Sequence, residues 1–227
     1  MFGAWQAGAW RALAPAFRPD LVVGASVGAL NGYAIAAGWS PDHLCGWWRQ
    51  SPREGLRHGF AHLPEMIQSI VAERPLELPY AVVLVNLLRM QPRTFTGREV
   101  TPRHLLASCA VPGMVPPQYI DGSWYLDGGL LNPLPVWAAV DLGATRIVAL
   151  NALPEIPSVI LRPLVKGFRA VFGHHPLLPA GVELVTLVPS RRLGSMSDAL
   201  RWNPDRAERC IEQGAADALL AQNGTAR

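Results

Sequence analysis

Cysteine is scarce in this chain, and the three copies, Cys45, Cys109 and Cys210, form an odd set without metal-ligand spacing. They read as reduced, buried residues in a cytoplasmic protein, and no metal or cofactor is expected. Charge is also sparse. Only 16% of residues are charged and the net charge is +3. That balance is too diffuse for a nucleic-acid binder, though it is compatible with an anionic membrane surface. Long apolar runs are missing too, since no stretch reaches the ~18 residues that a spanning helix needs. The longest run, residues 80–88, is interrupted by Asn86 and reads as a buried strand. No internal repeat, low-complexity tract or linker divides the chain, so residues 1–227 read as one domain.

What is abundant is apolar. Half of the residues are hydrophobic, enough for a substantial core at this length. Eight tryptophans are many. Trp47-Trp48 stand beside Arg49 and Arg53, and Trp202 beside Arg201. Aromatic and basic neighbours suit a lipid interface, which leads to an expectation of peripheral membrane contact. Ordinary core packing is the alternative for each indole.

The most informative segment is Gly24-Ala25-Ser26-Val27-Gly28. Leu21-Val22-Val23 before it reads as a short buried strand, and residues 29–37 after it as a helix. A Gly-x-Ser-x-Gly at a strand-to-helix turn is a nucleophile elbow. The turn is tight enough that the residues two before and two after the serine must lack side chains. The hydroxyl is then lifted out of the sheet beside the positive end of a helix. Alternatively, the serine merely caps that helix.

A second motif is Asp127-Gly128-Gly129, which follows a hairpin expected over residues 118–126 with its turn at Asp121-Gly122. Paired glycines let the backbone bend sharply, so the carboxylate can leave the sheet and point into a cleft. A solvated aspartate in an ordinary turn is the alternative. A serine hydroxyl needs a base before it becomes a useful nucleophile. Of the six histidines, His43, His58, His62 and His104 fall in expected helices or their flanks, and His174 and His175 in a loop. None has a setting that suggests a triad base.

Several blocks, taken in order, resemble the patatin-like phospholipases of bacterial type. Gly3-Ala4-Trp5-Gln6-Ala7-Gly8 is similar to the end of that family's glycine-rich loop and its first helix. Gly24 to Gly28 is similar to its elbow. Ala107-Ser108-Cys109-Ala110-Val111-Pro112-Gly113, with Pro116-Pro117, resembles the stretch before its hairpin. Asp127-Gly128-Gly129 and Asn132-Pro133-Leu134-Pro135-Val136 resemble its Asp-Gly-Gly segment, and residues 144–150 the following strand. The resemblance implies a Ser-Asp dyad, with Ser26 as nucleophile and Asp127 as general base, supported by Gly128 and Gly129. It implies hydrolysis of fatty-acyl esters, of a phospholipid or lysophospholipid, through an acyl-serine. Acyltransferase and thioesterase chemistry use the same dyad.

The N-terminus departs from that pattern. The family begins with a strand and a Gly-Gly-Gly-x-Arg/Lys-Gly loop whose N–H groups hold the oxyanion. Here Gly3 aligns with the last glycine, Phe2 replaces the basic residue, and the strand and three glycines are absent. The expected oxyanion and elbow residues are therefore Val27, Gly24, Gly28 and Gly3, with Val27 N–H the surviving donor. The favoured reading is that Met1 is an internal methionine taken as the start. A weakened or inactive lipid- or protein-binding module is the competing one. The missing strand predicts an open edge or apolar groove in the sheet.

Along the rest of the chain, helices are expected over residues 4–17, 101–110, 135–142, 161–172 and 204–221, the last capped by Asn203. Strands are expected over 81–88, 146–150 and 183–188. Residues 40–78 form a variable, largely helical cover region by resemblance. Residues 161–172 carry Arg162, Lys166 and Arg169 on a polar side, which reads as a solvated face or a membrane-surface one. Alternating strands and helices predict an α/β fold: a mostly parallel central sheet with helices on both faces.

Overall fold

Tyr-Ala-Val-Val-Leu-Val-Asn, residues 80–86, has the β-branched content of a central strand, and in the computed structural model it is buried at every position. The structure describes residues 2–50, 63–154, 161–173, 177–195, 198 and 203–224. In chain order the elements are α1 (Phe2–Leu13), β1 (Val22–Gly24), α2 (Val27–Ala36), α3 (Pro41–Arg49), α4 (Leu63–Glu73), β2 (Tyr80–Asn86), β3 (Gln91–Thr96) and α5 (Pro102–Ser108). Then come β4 (Gln118–Ile120), β5 (Ser123–Asp127), α6 (Val136–Asp141), β6 (Arg146–Leu150), α7 (Leu161–Phe172), β7 (Glu183–Leu187) and α8 (Pro204–Gly224). The expected α/β architecture is present, and the sheet is mixed. β1 joins β2 in parallel, β3 and β5 pair with β2 antiparallel, and β4 pairs with β5 antiparallel. β6 and β7 form a separate parallel pair. The β4–β5 turn falls on Asp121 and Gly122, both at positive φ, as a tight two-residue hairpin requires. β3 has no counterpart in the sequence reading. It folds back through residues 87–90, and its mostly polar residues carry little apolar periodicity.

The register of β2 positions the site. β3 covers one edge of β2 from Ala81 to Asn86. A strand has only two edges, so β1 and β5 share the other. β1 runs up it and ends with Gly24 opposite Val82. β5 runs down it and ends with Asp127 opposite Leu84. Two strands far apart in sequence thus terminate head to head, with Val83 between them.

α1 and α8 cross closely because small residues let their backbones approach. A Cβ on Gly8 would stand 1.9 Å from the Ile211 carbonyl oxygen, and one on Gly214 2.0 Å from that of Trp5. The Trp5 indole at this crossing donates to Asp217 Oδ2 at 2.8 Å. Asn203 caps α8 by accepting from the Arg206 N–H. All three cysteines are buried and free.

Trp47 and Trp48 do not face a lipid interface; both are buried in the core. Their rings pack edge to face at 5.0 Å. The Trp48 indole donates to Asn31 Oδ1 at 2.7 Å, and that of Trp47 to Ser69 Oγ at 3.1 Å. The neighbouring Arg49 is ion-paired with Glu208 on α8. Arg53, Arg201 and Trp202 lie outside the described residues, as does the middle of the 40–78 cover region. Trp48→Ala is therefore expected to lower stability by about 3–5 kcal/mol, through a cavity and a stranded Asn31 amide. Chemical denaturation measures this. An unchanged midpoint with weakened vesicle binding would reverse the assignment to the core.

The groove expected from the sequence is present. Residues 21–25, along β1, and Arg146–Leu150 of β6 line one cavity of about 910 Å³. Among the described residues, β1 pairs with β2 alone and β6 with β7 alone. Two parallel-type edges therefore face one slot. At its upper end the Gln6 side chain donates to the Leu150 carbonyl at 3.0 Å and accepts from Asn31 Nδ2 at 3.0 Å.

Candidate active site

Ser26 stands between β1 and α2 with φ 55° and ψ −135°. An L-residue held there costs about 1–3 kcal/mol, so the surroundings must enforce it. Gly24 is one reason the chain can turn there. A Cβ on it would lie 2.5 Å from the Gly28 carbonyl oxygen and 2.6 Å from Ala29 Cα. At Gly28 the crowding is much less, since a Cβ would meet the Gln6 amide nitrogen at 3.5 Å. The Gly28 and Ala29 N–H groups close turns onto the Ala25 and Ser26 carbonyls. Val27 opens α2, so its N–H belongs to the helix start that lacks intrahelical acceptors.

Ser108 supports the elbow from below. Its fully buried hydroxyl accepts from the Ser26 N–H at 2.8 Å and points back to the Val83 carbonyl at 3.4 Å. The strained residue is thereby tied to the β2 backbone between the ends of β1 and β5. Nothing local sets Ser108 apart from its neighbours in the 107–113 block, so its role is not legible in the sequence. Ser108→Ala leaves the Ser26 N–H without its acceptor, at about 1–3 kcal/mol. The expected result is a lower thermal midpoint with turnover reduced roughly tenfold, one decade per 1.4 kcal/mol lost where the strained geometry is used. A neutral outcome in both measurements would remove Ser108 from the site.

Asp127 ends β5 and caps the 3₁₀ turn Gly128–Leu130, with its Oδ1 accepting from the Gly129 N–H at 2.7 Å. Both glycines have a steric reason. A Cβ on Gly128 would strike the Val83 carbonyl oxygen at 2.2 Å, and one on Gly129 would press on Asp127 Oδ1 at 3.1 Å. The turn therefore lies directly on β2. The Ser26 side chain lies close enough to Asp127 to favour its ionised form. Asp127 is 4% exposed, and this burial pushes its pKa up to about 6. The neighbouring Ser26 side chain, the Gly129 N–H and the Arg169 charge oppose that rise.

The structure thus brings Ser26, Val27, Gly24, Asp127, Gly128 and Gly129 to one place. Gly3 is in the first turn of α1. Its carbonyl accepts from Asn31 Nδ2 at 2.8 Å, and a Cβ there would enter the Trp48 ring at 2.2 Å. His43 stacks on Trp39 and pairs with Glu73 at 3.3 Å. His104 is buried, and its Nδ1 accepts from the Thr101 N–H at the start of α5. His58, His62, His174 and His175 lie outside the described residues. Among the described residues no His, Cys, Asp and Glu cluster could hold a metal ion, and no helix is long and apolar enough to cross a membrane.

Arg169, expected on the polar side of residues 161–172, donates its guanidinium to the carbonyls of Gly129 at 2.8 Å and Leu130 at 3.1 Å. Nothing in the helical pattern distinguishes it from Lys166, which is exposed.

Comparison with known proteins agrees with this geometry. An uncharacterized NTE family protein of Mycobacterium bovis is 27% identical over 177 residues, covering 66% of this chain and 49% of the relative. Uncharacterized NTE family proteins of two Mycobacterium tuberculosis strains, CDC 1551 and H37Rv, match to the same extent. The chain spans about half the length of these curated relatives. Residues 1–60 and 52–140, which hold both the elbow and the Asp-Gly-Gly turn, match the family described as patatin-like phospholipase. With the elbow serine and the Asp-Gly-Gly aspartate brought together on one edge of β2, and that match covering more than half of its length, the chain belongs to the patatin-like phospholipase family.

Proposed function

We propose that this chain hydrolyses fatty-acyl esters of phospholipids or lysophospholipids, with Ser26 as nucleophile and Asp127 as its general base. The observation that carries the reading is the convergence of the elbow serine and the buried Asp127 at the facing ends of β1 and β5 on one edge of β2. Ser26 Oγ attacks the ester carbonyl carbon as its proton passes to Asp127. The carbonyl π pair moves to oxygen, where Val27 N–H at the start of α2 is a donor. Collapse breaks the ester C–O bond, and the departing alcohol takes the proton from Asp127. Water, deprotonated by Asp127, then attacks the acyl-serine, releases the fatty acid and restores Ser26.

A lipid surface is part of this reading, with the contact moved from α3 to the end of α7. Val171 is 74% exposed, and Phe172, Leu177 and Leu178 are exposed with it. They follow Arg169, which touches the turn after Asp127. A fluorophosphonate probe followed by peptide mass mapping tests the chemistry. The expected result is one adduct, on Ser26, that Ser26→Ala abolishes. The slot beside the elbow favours a second reading, a lipid- or protein-binding module without turnover. Vesicle binding without any Ser26 adduct would favour that reading over the enzyme.

A further inference from the structure

The dyad is held by a turn, and the turn is held from outside the sheet. Asp127 Oδ1 accepts from the Gly129 N–H, while the carbonyl of that same Gly129 accepts from Arg169 on α7. A second guanidinium donor, Nε, reaches the Leu130 carbonyl. One side chain therefore grips both carbonyls at the end of the 3₁₀ turn and carries a charge that acts on the carboxylate. A planar guanidinium suits this fork, because its donors are fixed relative to one another; a lysine ammonium would reach one carbonyl at a time.

We propose that Arg169 is a positioning residue for the dyad: from α7 it fixes the Gly128–Leu130 turn and keeps Asp127 in its ionised, proton-accepting form. This rests on the reading of Asp127 as the general base of Ser26. The groups facing Asp127 are few. Ser26 approaches from the elbow, and the Gly129 N–H from its own turn. The buried Cys109 thiol, pushed well up by burial, lies at the end of α5 and holds no charge at neutral pH. Among the described residues, Arg169 supplies the positive charge that acts on the carboxylate. Burial in turn lowers the pKa of Arg169, and the attraction of Asp127 opposes this, so the two groups are electrostatically linked.

The test compares the wild-type chain with Arg169→Met and Arg169→Lys, using a soluble acyl ester across pH 5 to 9. A nearby cation favours the ionised form of a carboxylate. Arg169→Met is therefore expected to move the acid limb of kcat/KM upward by a fraction of a unit. Turnover would fall roughly two- to threefold near pH 5 and little near pH 8. Arg169→Lys should restore most of the limb, through charge alone, without restoring the full rate. A purely structural role would lower the rate equally at every pH and leave the limb in place, which overturns the proposal.

A second measurement does not depend on turnover. The pH dependence of unfolding is compared for Arg169→Met in the Asp127 and Asp127→Asn backgrounds. The proposal requires Arg169→Met to change the slope between about pH 4 and 7 only where Asp127 is present. The same slope change in both backgrounds, or none, overturns it. An unlabelled Ser26 with this coupling intact would instead sink the hydrolase reading while leaving the Arg169–Asp127 link standing.

Discussion

Asp127→Asn is expected to abolish turnover and at the same time make the protein more stable. Burial holds the carboxyl near pKa 6, about two units above its unfolded value of ~3.9. The sign follows from proton binding. Between those two values the folded state holds a proton that the unfolded state has released, so stability falls as pH rises from about 4 to 6 and stays lower above. Two units correspond to about 3 kcal/mol at neutral pH. Asparagine keeps the shape and the oxygen that accepts from Gly129 without a charge to desolvate. The expected gain is up to about 3 kcal/mol, roughly 5 °C or more in the midpoint at this chain length. Turnover should drop by about 10³-fold or more, since an amide cannot take the Ser26 proton. Ser26→Ala should remove turnover equally, because nucleophile and base act as one unit. In the wild-type chain the acid limb of kcat/KM should have its midpoint near pH 6, activity being lost as pH falls through it. A destabilised Asp127→Asn, or one that keeps its activity, would show that the carboxylate serves the fold and not the reaction.

Filling the slot between β1 and β6 is expected to have the second large effect. The two edges face one cavity of about 910 Å³ whose upper end reaches Gly24, Ala25 and Gly28. A strand laid there in parallel would pair on both sides, at about 0.5–1.5 kcal/mol net per backbone hydrogen bond. It would also displace Gln6 from the Leu150 carbonyl. If the strand leads into a glycine-rich turn before α1, as the family resemblance implies, that turn would add N–H donors beside Ser26. Each such donor contributes roughly 10²–10³ in turnover. The comparison is the chain as it stands against the same chain preceded by a strand-forming segment and glycine turn, with a proline-interrupted segment as control. A higher midpoint and faster ester hydrolysis are expected for the first extension alone. Equal values in all three would show that the open slot carries no cost.

Much of the site could be read from residue types because its requirements are local. Only a glycine fits where a Cβ would lie 2.5 Å from a helix carbonyl, as at Gly24, or 2.2 Å from a strand carbonyl, as at Gly128. Such positions leave a mark in the sequence whatever the rest of the chain does. The hairpin turn at Asp121-Gly122 and the cap at Asn203 are legible for the same reason. The tryptophans of α3 misled because an indole beside an arginine reads the same in a core as at a lipid surface. Burial under α1 and α4 decided it, and no spacing encodes that.

The amino-acid sequence by itself determined which residues are fit for the chemistry: a serine in a glycine-flanked turn, an aspartate before two glycines, and an alternation of strands and helices. Their meeting was decided by tertiary structure. Ser26 and Asp127 come together only because β1 and β5 share one edge of β2 and stop on either side of Val83. Ser108 and Arg169 join them through contacts spanning 82 and 40 residues of chain. Pairing register and helix docking are properties of the whole fold, set by which apolar faces can be buried together, and single residues carry no local sign of them.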